Sequence, residues 1–383
     1  MKIAIVHDYL REMGGAERVL AVIKEMFPHA DVVVSYVNTE KKFSGIDADE
    51  VRTSVVQRLS FLWRRPSVID RFAPARLATS LNAWVFFLPL VFRSMDVRGY
   101  DVVISSTAYC AHHVRKRRGQ LHVCYCHTPP RFIWQFPERP ELRGIRRAIW
   151  KRYIQLARKL DLRAAEKVDL FVANSETVRG RIRKVYKRDS KVVYPPVDLL
   201  ERTGYVLGAE GHDGYYLVVS RLDPLKRVEP IVEAFNRIGY PLMIVGTGTL
   251  DEKLAAMAST NVTFTGFVTD DELCGYYDGA RAVVVAAQDE DLGMTAVEAQ
   301  LFGKPVIAAN EGGFRETVID GETGILFEMT GAESIVKAVE RLASYNFDPE
   351  KIKRNAARFS KGAFVSGLHA ELAKVGAEVA LNS

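Results

Sequence analysis

The sequence predicts an α/β protein of two domains, each built on a parallel β-sheet covered by helices. Short β-branched runs alternate with longer amphipathic stretches along the chain, as in parallel sheets. The chain has 383 residues, 48% of them hydrophobic, so it can bury more than one core. A Pro-Pro pair and a Gly-rich polar stretch, within 194–214, separate two sets of runs.

The runs give the predicted strands and the domain limits. The predicted strands of the first half are 2–6, 31–36, 101–105, 121–125 and 168–173, and those of the second half are 215–220, 242–245, 262–264, 282–286 and 305–309. We place the domains at residues 1–198 and 199–348. The tail, 349–383, has helical spacing without a further strand, and we expect it to return to the first domain.

Charge is divided unevenly between the two halves. Residues 1–196 carry a net charge of +17 and residues 197–383 one of −11, although the whole chain is only +6. A basic half alone is compatible with a nucleic-acid partner, but no nucleic-acid motif is present and the other half is acidic. We therefore expect no nucleic-acid partner.

Cysteine usage and hydropathy indicate the compartment. The four cysteines have neither the density of a disulfide framework nor paired metal-ligand spacing. Only four apolar residues follow Met1-Lys2, too few for a signal peptide, and the longest apolar stretch, 83–92, is too short to span a bilayer. We expect a reduced cytoplasmic chain.

A glycine pair stands where the first predicted strand turns into a helix. Gly14 and Gly15 open an apolar-periodic helix, and such a turn lets a phosphate approach backbone N–H groups at the positive helix end. A tight turn that needs positive φ explains the same pair equally well.

Cations and carboxylates follow two strands of the second half. Arg221 and Lys226 come just after the strand 215–220, at the carboxyl end where open α/β sheets bind ligands, and two cations there suit a diphosphate. Glu290 and Glu298 span the next strand-to-helix loop, where carboxylates can grip sugar hydroxyls and Gly293 permits close backbone approach.

In order and number, these motifs resemble those of retaining glycosyltransferases of family 4. The segments that carry the resemblance are 14–15, 126–129, Arg221 with Lys226, 246–248, 290–298, and 303–308 with 311–313 and Glu316. They span nearly the whole chain. The segments 7–10, 14–18 and 125–130 are most similar to bacterial and archaeal mannosyltransferases of polysaccharide assembly.

The resemblance implies the GT-B fold, in which two Rossmann-like domains face each other across a cleft and the second holds most of the nucleotide sugar. It assigns His127 and Glu290 to catalysis, both beside the transferred sugar. Arg221 and Lys226 would bind the donor diphosphate, and Glu298 the ribose hydroxyls. The remaining donor-binding residues that it implies are Gly14, Gly15, Gly246, Gly293, Met294 and Thr295.

Placement also supports a role for His127, because it follows a predicted strand at the ligand-binding edge and precedes Pro129-Pro130. His112, His113 and His122 lack such placement, and we interpret them as structural. No Asp-x-Asp metal motif stands at a strand end. We therefore expect no required metal or other cofactor, with the diphosphate charge neutralised by cations and helix N-termini.

Three basic runs, 52–76, 143–163 and 179–188, indicate an anionic membrane surface as a partner. Each cation near such a surface contributes about 1 kcal/mol. Solvated helix faces are the alternative for any single run. The apolar stretch 83–92 suits a lipid tail or the protein core, and we place it in the core.

The expected function is transfer of a hexose, mannose from GDP-mannose, to a lipid-linked or polysaccharide acceptor at the cytoplasmic membrane face. A UDP-sugar donor is one alternative, and a non-catalytic nucleotide-binding or membrane-associated module is another. An epimerase or phosphorylase of the same fold would need a phosphate site or cofactor lysine that the sequence does not reveal.

Overall fold

The computed structural model of the protein describes residues 1–59, 87–136, 138, 142–208 and 214–376. The chain forms two compact units, and the second runs from Tyr194 to Ala363 while the first holds the rest. The expected boundary after residue 198 therefore shifts by five residues. The shift has a packing cause, because Tyr194 lies against Phe359 at a ring distance of 4.8 Å and the Val197 N–H donates to the Phe359 carbonyl at 2.8 Å.

The tail, residues 349–383, is divided between the two units. Ile352 and Phe359 are buried within the second unit, and the chain passes back to the first unit at Phe364. From there Phe364 and Leu368 join the core of the first sheet. The expectation that all of 349–383 returns to the first domain is therefore wrong for residues 349–363.

In the described residues, the first unit has one parallel sheet of seven strands in the order β3-β2-β1-β4-β5-β6-β7. Its strands are β1 Ile3–His7, β2 Asp31–Val34, β3 Arg52–Thr53, β4 Val102–Thr107, β5 Leu121–Cys126, β6 Leu170–Ala173 and β7 Lys191–Val192. Its helices are Gly15–Met26, Val55–Leu59, Leu88–Ser94, Arg131–Trp134, Gly144–Ala165 and Glu176–Tyr186, with a 3₁₀ turn at Ala111–His113.

The second unit, within its described residues, has a parallel sheet of six strands in the order β10-β9-β8-β11-β12-β13. The strands are β8 Tyr215–Val219, β9 Leu242–Val245, β10 Val262–Gly266, β11 Ala280–Val285, β12 Val306–Ala309 and β13 Gly324–Phe327. The helices are Leu199–Thr203, Val228–Ile238, Asp251–Met257, Asp270–Gly279, Met294–Leu301, Phe314–Thr317, Ala332–Ala343 and Pro349–Ala356, with 3₁₀ turns at Pro224–Lys226 and Ala357–Phe359. The helix Lys361–Lys374 follows.

Both sheets confirm the predicted fold class. Their inner strands are buried on both faces, which explains the nearly continuous apolar runs at β1, β11 and β12. The short edge strands β3 and β7 and the strand β13 were not predicted. β3 and β7 have only two residues each, which is too short for an alternation of apolar and polar residues to be seen in the sequence.

Two expectations fall partly on residues that are not described. Of the basic run 52–76, residues 60–76 lie outside the described residues, as does 83–86 of the apolar stretch. Leu88 and Phe92 of that stretch are buried in the core, whereas Phe87 and Leu90 are more than half exposed. Among the described residues, no helix has both the length and the apolar character that crossing a bilayer requires.

Candidate active site

The strand order places the charged residues of the second unit at one point of its sheet. β8 and β11 are neighbours, and the connections run outward from them in opposite directions, so the sheet has its topological switch point there. Open α/β sheets bind ligands in the crevice at the carboxyl ends of such strands. Arg221 and Lys226 follow β8, and Glu290 follows β11.

Lys226 and Glu290 meet in this crevice. The Lys226 Nζ lies 2.7 Å from Oε2 of Glu290, and the two side chains are 25% and 21% exposed. The loops that carry them are also joined through the backbone, because the Gln288 N–H donates to the Leu225 carbonyl at 2.7 Å. Arg221 stands apart on the same loop, 78% exposed and 3.5 Å from Asp223.

Gly246 and Gly293 let backbone segments pack closely around this crevice. Gly246 has a φ of +127°, and a Cβ there would lie 1.9 Å from the Ser220 carbonyl oxygen, next to Arg221. Gly293 has a φ of +88°, and a Cβ there would lie 2.5 Å from the ring of Phe314. Gly293 caps the helix that begins with Met294 and Thr295, so their N–H groups lie at its positive end.

Glu298 lies one turn further along the same helix and is 4% exposed. Its Oε2 accepts a hydrogen bond of 2.9 Å from the Tyr277 hydroxyl. The carboxylate is therefore partly engaged within the protein itself.

A second ion pair, which the sequence analysis missed, joins the end of the loop after β8 to the loop after β12. The Arg227 guanidinium donates to the Glu311 carboxylate, which follows β12. Next to Glu311, Gly312 and Gly313 pack closely against the backbone of residues 289–292. The Gly313 N–H donates to the Glu290 carbonyl at 2.9 Å. The glycine pair directly after Glu311 is the signal that could have pointed to this close packing.

In the first unit, Gly14 and Gly15 do not have the left-handed backbone that a tight turn would require. Gly14 is extended at φ −120°, and Gly15 begins the helix Gly15–Met26. The tight-turn alternative is therefore wrong. The Gly14 N–H donates to Glu17 Oε2 at 3.0 Å, and a Cβ at Gly14 would lie 2.9 Å from that oxygen.

His127 follows β5 and is 7% exposed. Its Nε2 lies 2.9 Å from the Ser106 Oγ, and its ring meets Tyr125 edge-on at 5.2 Å. Burial, followed by the charge of His7, lowers the pKa of His127 to about 3. The ring is therefore neutral at physiological pH, when it can offer a hydrogen bond but not a positive charge.

The switch point of the first unit is occupied by a carboxylate of the chain itself. Asp8, which is 3% exposed, accepts hydrogen bonds of 2.6–2.9 Å from the N–H groups of four successive residues, 108–111. Four consecutive N–H groups form an anion-binding concavity. Here Asp8 fills it, so an external phosphate would have to displace a buried side chain.

Asp161, His112 and His113 form the one group of metal-ligand type found in the described residues. The two rings lie 3.0 and 2.9 Å from the same Asp161 oxygen, and Trp134 and Tyr186 donate to the other. Both carboxylate oxygens are thus engaged in a buried hydrogen-bond network. This arrangement fits the structural interpretation of His112 and His113 rather than a metal centre.

Models of two protein families match the chain, one in each half. The family described as Glycosyltransferase Family 4 matches residues 13–200, and the one described as Glycosyl transferases group 1 matches residues 206–359. Both halves of the chain are therefore similar to glycosyltransferase domains.

Individual relatives agree with this assignment. The chain is 30% identical over 231 residues to the D-inositol 3-phosphate glycosyltransferase of Segniliparus rotundus, covering 52% of this chain and 51% of that protein. It is 26% identical over 197 residues to an uncharacterized glycosyltransferase of Methanocaldococcus jannaschii, covering 50% and 55%. The chain thus spans about half the length of the curated relatives that it matches.

A solved structure matches almost from end to end. Anabaena HepE, crystallised in complex with UDP and glucose, aligns with a TM-score of 0.65 at 18% identity, covering 98% of this chain and 100% of that one. At this identity the match establishes the fold.

The packing at Gly246 generates a test. We expect Gly246→Ala to lower the free energy of unfolding of the second unit much more than Gly239→Ala. Both glycines have positive φ, but a Cβ at Gly239 meets nothing within 4 Å. The left-handed strain alone costs about 1–2 kcal/mol, and overpacking adds about 1–3 kcal/mol at Gly246. Urea unfolding compares the two variants, and equal losses would show that the Ser220 contact is unimportant.

Proposed function

We propose that the protein is a retaining glycosyltransferase that moves a hexose from a nucleoside-diphosphate sugar to an acceptor hydroxyl. The observation that carries this proposal is the Lys226–Glu290 pair at the switch point of the second sheet. A cation there suits a diphosphate, and the carboxylate suits sugar hydroxyls. That the families match both halves of the chain supports the same activity.

The other donor contacts are assigned by position. Arg221, largely exposed on the loop of Lys226, is proposed to contact the diphosphate together with the N–H groups of Met294 and Thr295. Glu298 is proposed to bind the ribose hydroxyls, with Tyr277 holding its carboxylate in place. Gly14, Gly15 and His127 are proposed to contact the donor from the first unit.

The proposed chemistry requires no protein nucleophile. The acceptor oxygen forms a bond to the anomeric carbon as the bond from that carbon to the diphosphate oxygen breaks. The leaving diphosphate takes the acceptor proton on the same face, so the configuration is retained. Glu290 and His127 hold the sugar during this exchange.

We propose that cations and helix ends alone neutralise the leaving group, without a metal. The acids at 289–291 are the nearest candidates for metal ligands in sequence, but Glu290 is already paired with Lys226 at 2.7 Å. Lys226 thus supplies the local positive charge that a metal would otherwise provide.

Mannose from GDP-mannose is the donor that we propose first. The subfamily resemblance of the first half supports it. A UDP-sugar is the second candidate, because the structural neighbour HepE was crystallised with UDP and glucose.

The diphosphate role of Lys226 is tested by calorimetry with GDP, UDP and ADP. The base that binds most tightly identifies the donor class. Lys226→Ala is expected to weaken that nucleotide about 10- to 100-fold, since a charge-assisted hydrogen bond contributes about 1.5–3 kcal/mol. The free nucleoside should lose nothing. Lys253→Ala, which removes an exposed cation paired with Glu229 in the same unit, is the matched control. Unchanged diphosphate affinity would reject the role.

Glu290→Gln distinguishes an enzyme from a binding module. Removing the carboxylate charge frees Lys226, so free nucleoside diphosphate is expected to bind several-fold more tightly. Donor hydrolysis and transfer, measured in the presence of EDTA, are expected to fall at least about tenfold, because a neutral amide holds the sugar hydroxyls more weakly than a charged carboxylate. If the variant binds more tightly and releases sugar as fast as the wild type, Glu290 has no catalytic part. Transfer that stops in EDTA would contradict the metal-free proposal.

We further propose that the acceptor is lipid-linked or a polysaccharide, and that the first unit contacts an anionic membrane on the cytoplasmic face. The helix Gly144–Ala165 supports this, because Ile145 and Ile149 are 77% and 63% exposed among basic side chains. Exposed apolar groups beside cations suit a lipid headgroup surface.

Vesicles that contain phosphatidylglycerol test the membrane proposal. The wild type is expected to bind at low salt and to dissociate as salt shortens the Debye length to about 8 Å near 0.15 M. Replacing Arg146, Arg147 and Lys151 by Gln should weaken binding about 100-fold, at about 1 kcal/mol per cation. The same change at Lys253, Lys337 and Lys351, exposed in the second unit, is the control. Salt-independent binding, or equal loss in both variants, would reject this surface.

A further inference from the structure

In the first unit, three polar side chains lie on one face of the sheet, at or just beyond the carboxyl ends of three neighbouring strands. His7 follows Ile5 on β1, Ser106 follows Ile104 on β4, and His127 continues the face of Tyr125 beyond β5. The Ser106 Oγ lies 3.1 Å from His7 Nδ1 and 2.9 Å from His127 Nε2. Because one hydroxyl joins both rings, the proton on one ring influences the proton on the other.

Glu17 lies near the ring nitrogen of His7 that does not face Ser106. Its Oε1 is 3.8 Å from His7 Nε2, and its Oε2 accepts the Gly14 N–H. Burial raises the pKa of Glu17, but its electrostatic interaction with the nearby His7 ring outweighs burial, so the pKa is lowered. The carboxylate is therefore charged, and it favours a proton on Nε2 of His7.

The direction of each hydrogen bond then follows in order. A neutral His7 with its proton on Nε2 has a bare Nδ1, which accepts from the Ser106 hydroxyl. The Ser106 oxygen in turn accepts from His127 when the His127 proton is on Nε2. Within the part of the chain that the structure describes, the other ring nitrogen of His127, Nδ1, has no hydrogen-bond partner.

We propose that Glu17, acting through His7 and Ser106, fixes the tautomer of His127 so that its Nδ1 is a hydrogen-bond acceptor for a sugar hydroxyl. Glu17, His7 and Ser106 are positioning residues in this scheme. The sugar contact rests on the proposed function, whereas the tautomer does not. A serine that merely filled space would leave the tautomer of His127 unaffected.

The neighbouring serine provides a matched control. Ser105 Oγ lies 2.9 Å from Nε2 of His122, so the same pair of groups occurs one residue earlier on β4. Successive strand residues point to opposite faces of a sheet. Ser105→Ala therefore removes an equivalent hydrogen bond without touching His127.

Long-range ¹H–¹⁵N correlation of histidine-labelled protein shows which ring nitrogen carries the proton. The test is set at pH 8, above the ordinary histidine pKa of about 6.5. His127, identified by the signal lost in His127→Asn, is expected to be protonated on Nε2. In Ser106→Ala and Glu17→Gln it is expected to become a mixture of tautomers, whereas Ser105→Ala should change only His122. Glu17→Gln is informative because Gln can still accept the Gly14 N–H as a cap.

A proton on Nδ1 of His127 in the wild type would overturn the proposal, as would a tautomer unchanged in both variants. Transfer adds a second readout. Ser106→Ala and Glu17→Gln are expected to lower kcat/KM about tenfold, with the Kd for free nucleoside diphosphate unchanged within about twofold, and Ser105→Ala should do neither. A shifted tautomer with unchanged kcat/KM would reject the sugar contact. If the wild type transfers no sugar, the proposed function is wrong, but the tautomer measurement still tests the hydrogen-bond scheme on its own.

Discussion

Both sheets are organised by one topological constraint, the pairing of the first strand of each unit with the fourth. β1 pairs in parallel with β4, and β8 pairs in parallel with β11, while the strands between them extend the sheet on the other side. Connections therefore leave each pair in opposite directions and open a crevice at its carboxyl end. His7, Asp8, Lys226 and Glu290 all stand at or just beyond these carboxyl ends.

The two units use this crevice differently. In the first, the Asp8 carboxylate is buried and takes four backbone N–H groups, so the position that could bind an anion is permanently filled. In the second, Lys226 and Arg227 are paired with glutamates that remain partly exposed. Net charge alone would favour anion binding by the first half, because residues 1–196 carry +17 and the rest of the chain carries −11. The proposal that the diphosphate binds to the acidic unit therefore rests on local geometry and not on net charge.

The sequence predicted the fold class and the strand ends well, because β-branched runs and strand-end residues are local signals. Strand ends are also why Arg221, Lys226, Glu290 and His127 could be named as candidates, and the structure places all four beyond the carboxyl end of a strand. The ion pairs were not predictable, since Lys226 and Glu290 are 64 positions apart and it is the pairing of β8 with β11 that brings their loops together. Ser106 shows an intermediate case. Alternation along β4 assigns it to the face of Ile104, but that it meets two histidines depends on the register of β1, β4 and β5. The boundary at Tyr194 moved because a contact with Phe359, distant in sequence, outweighs the local Pro-Pro signal.

Burial decides which charged side chains of this protein must keep their partners and which can change them. An ion that is removed from water loses several kcal/mol of solvation, so its partners must remain in place, as they do around Asp8 and Asp161. Lys226 and Glu290 retain a quarter and a fifth of their exposure, so water can solvate either side chain while its partner changes. In the proposed function, an incoming diphosphate takes Lys226 from Glu290 at small cost, and the released carboxylate then accepts from a sugar hydroxyl. On this proposal, the ion pair holds both side chains in position until a donor replaces their contact with its own.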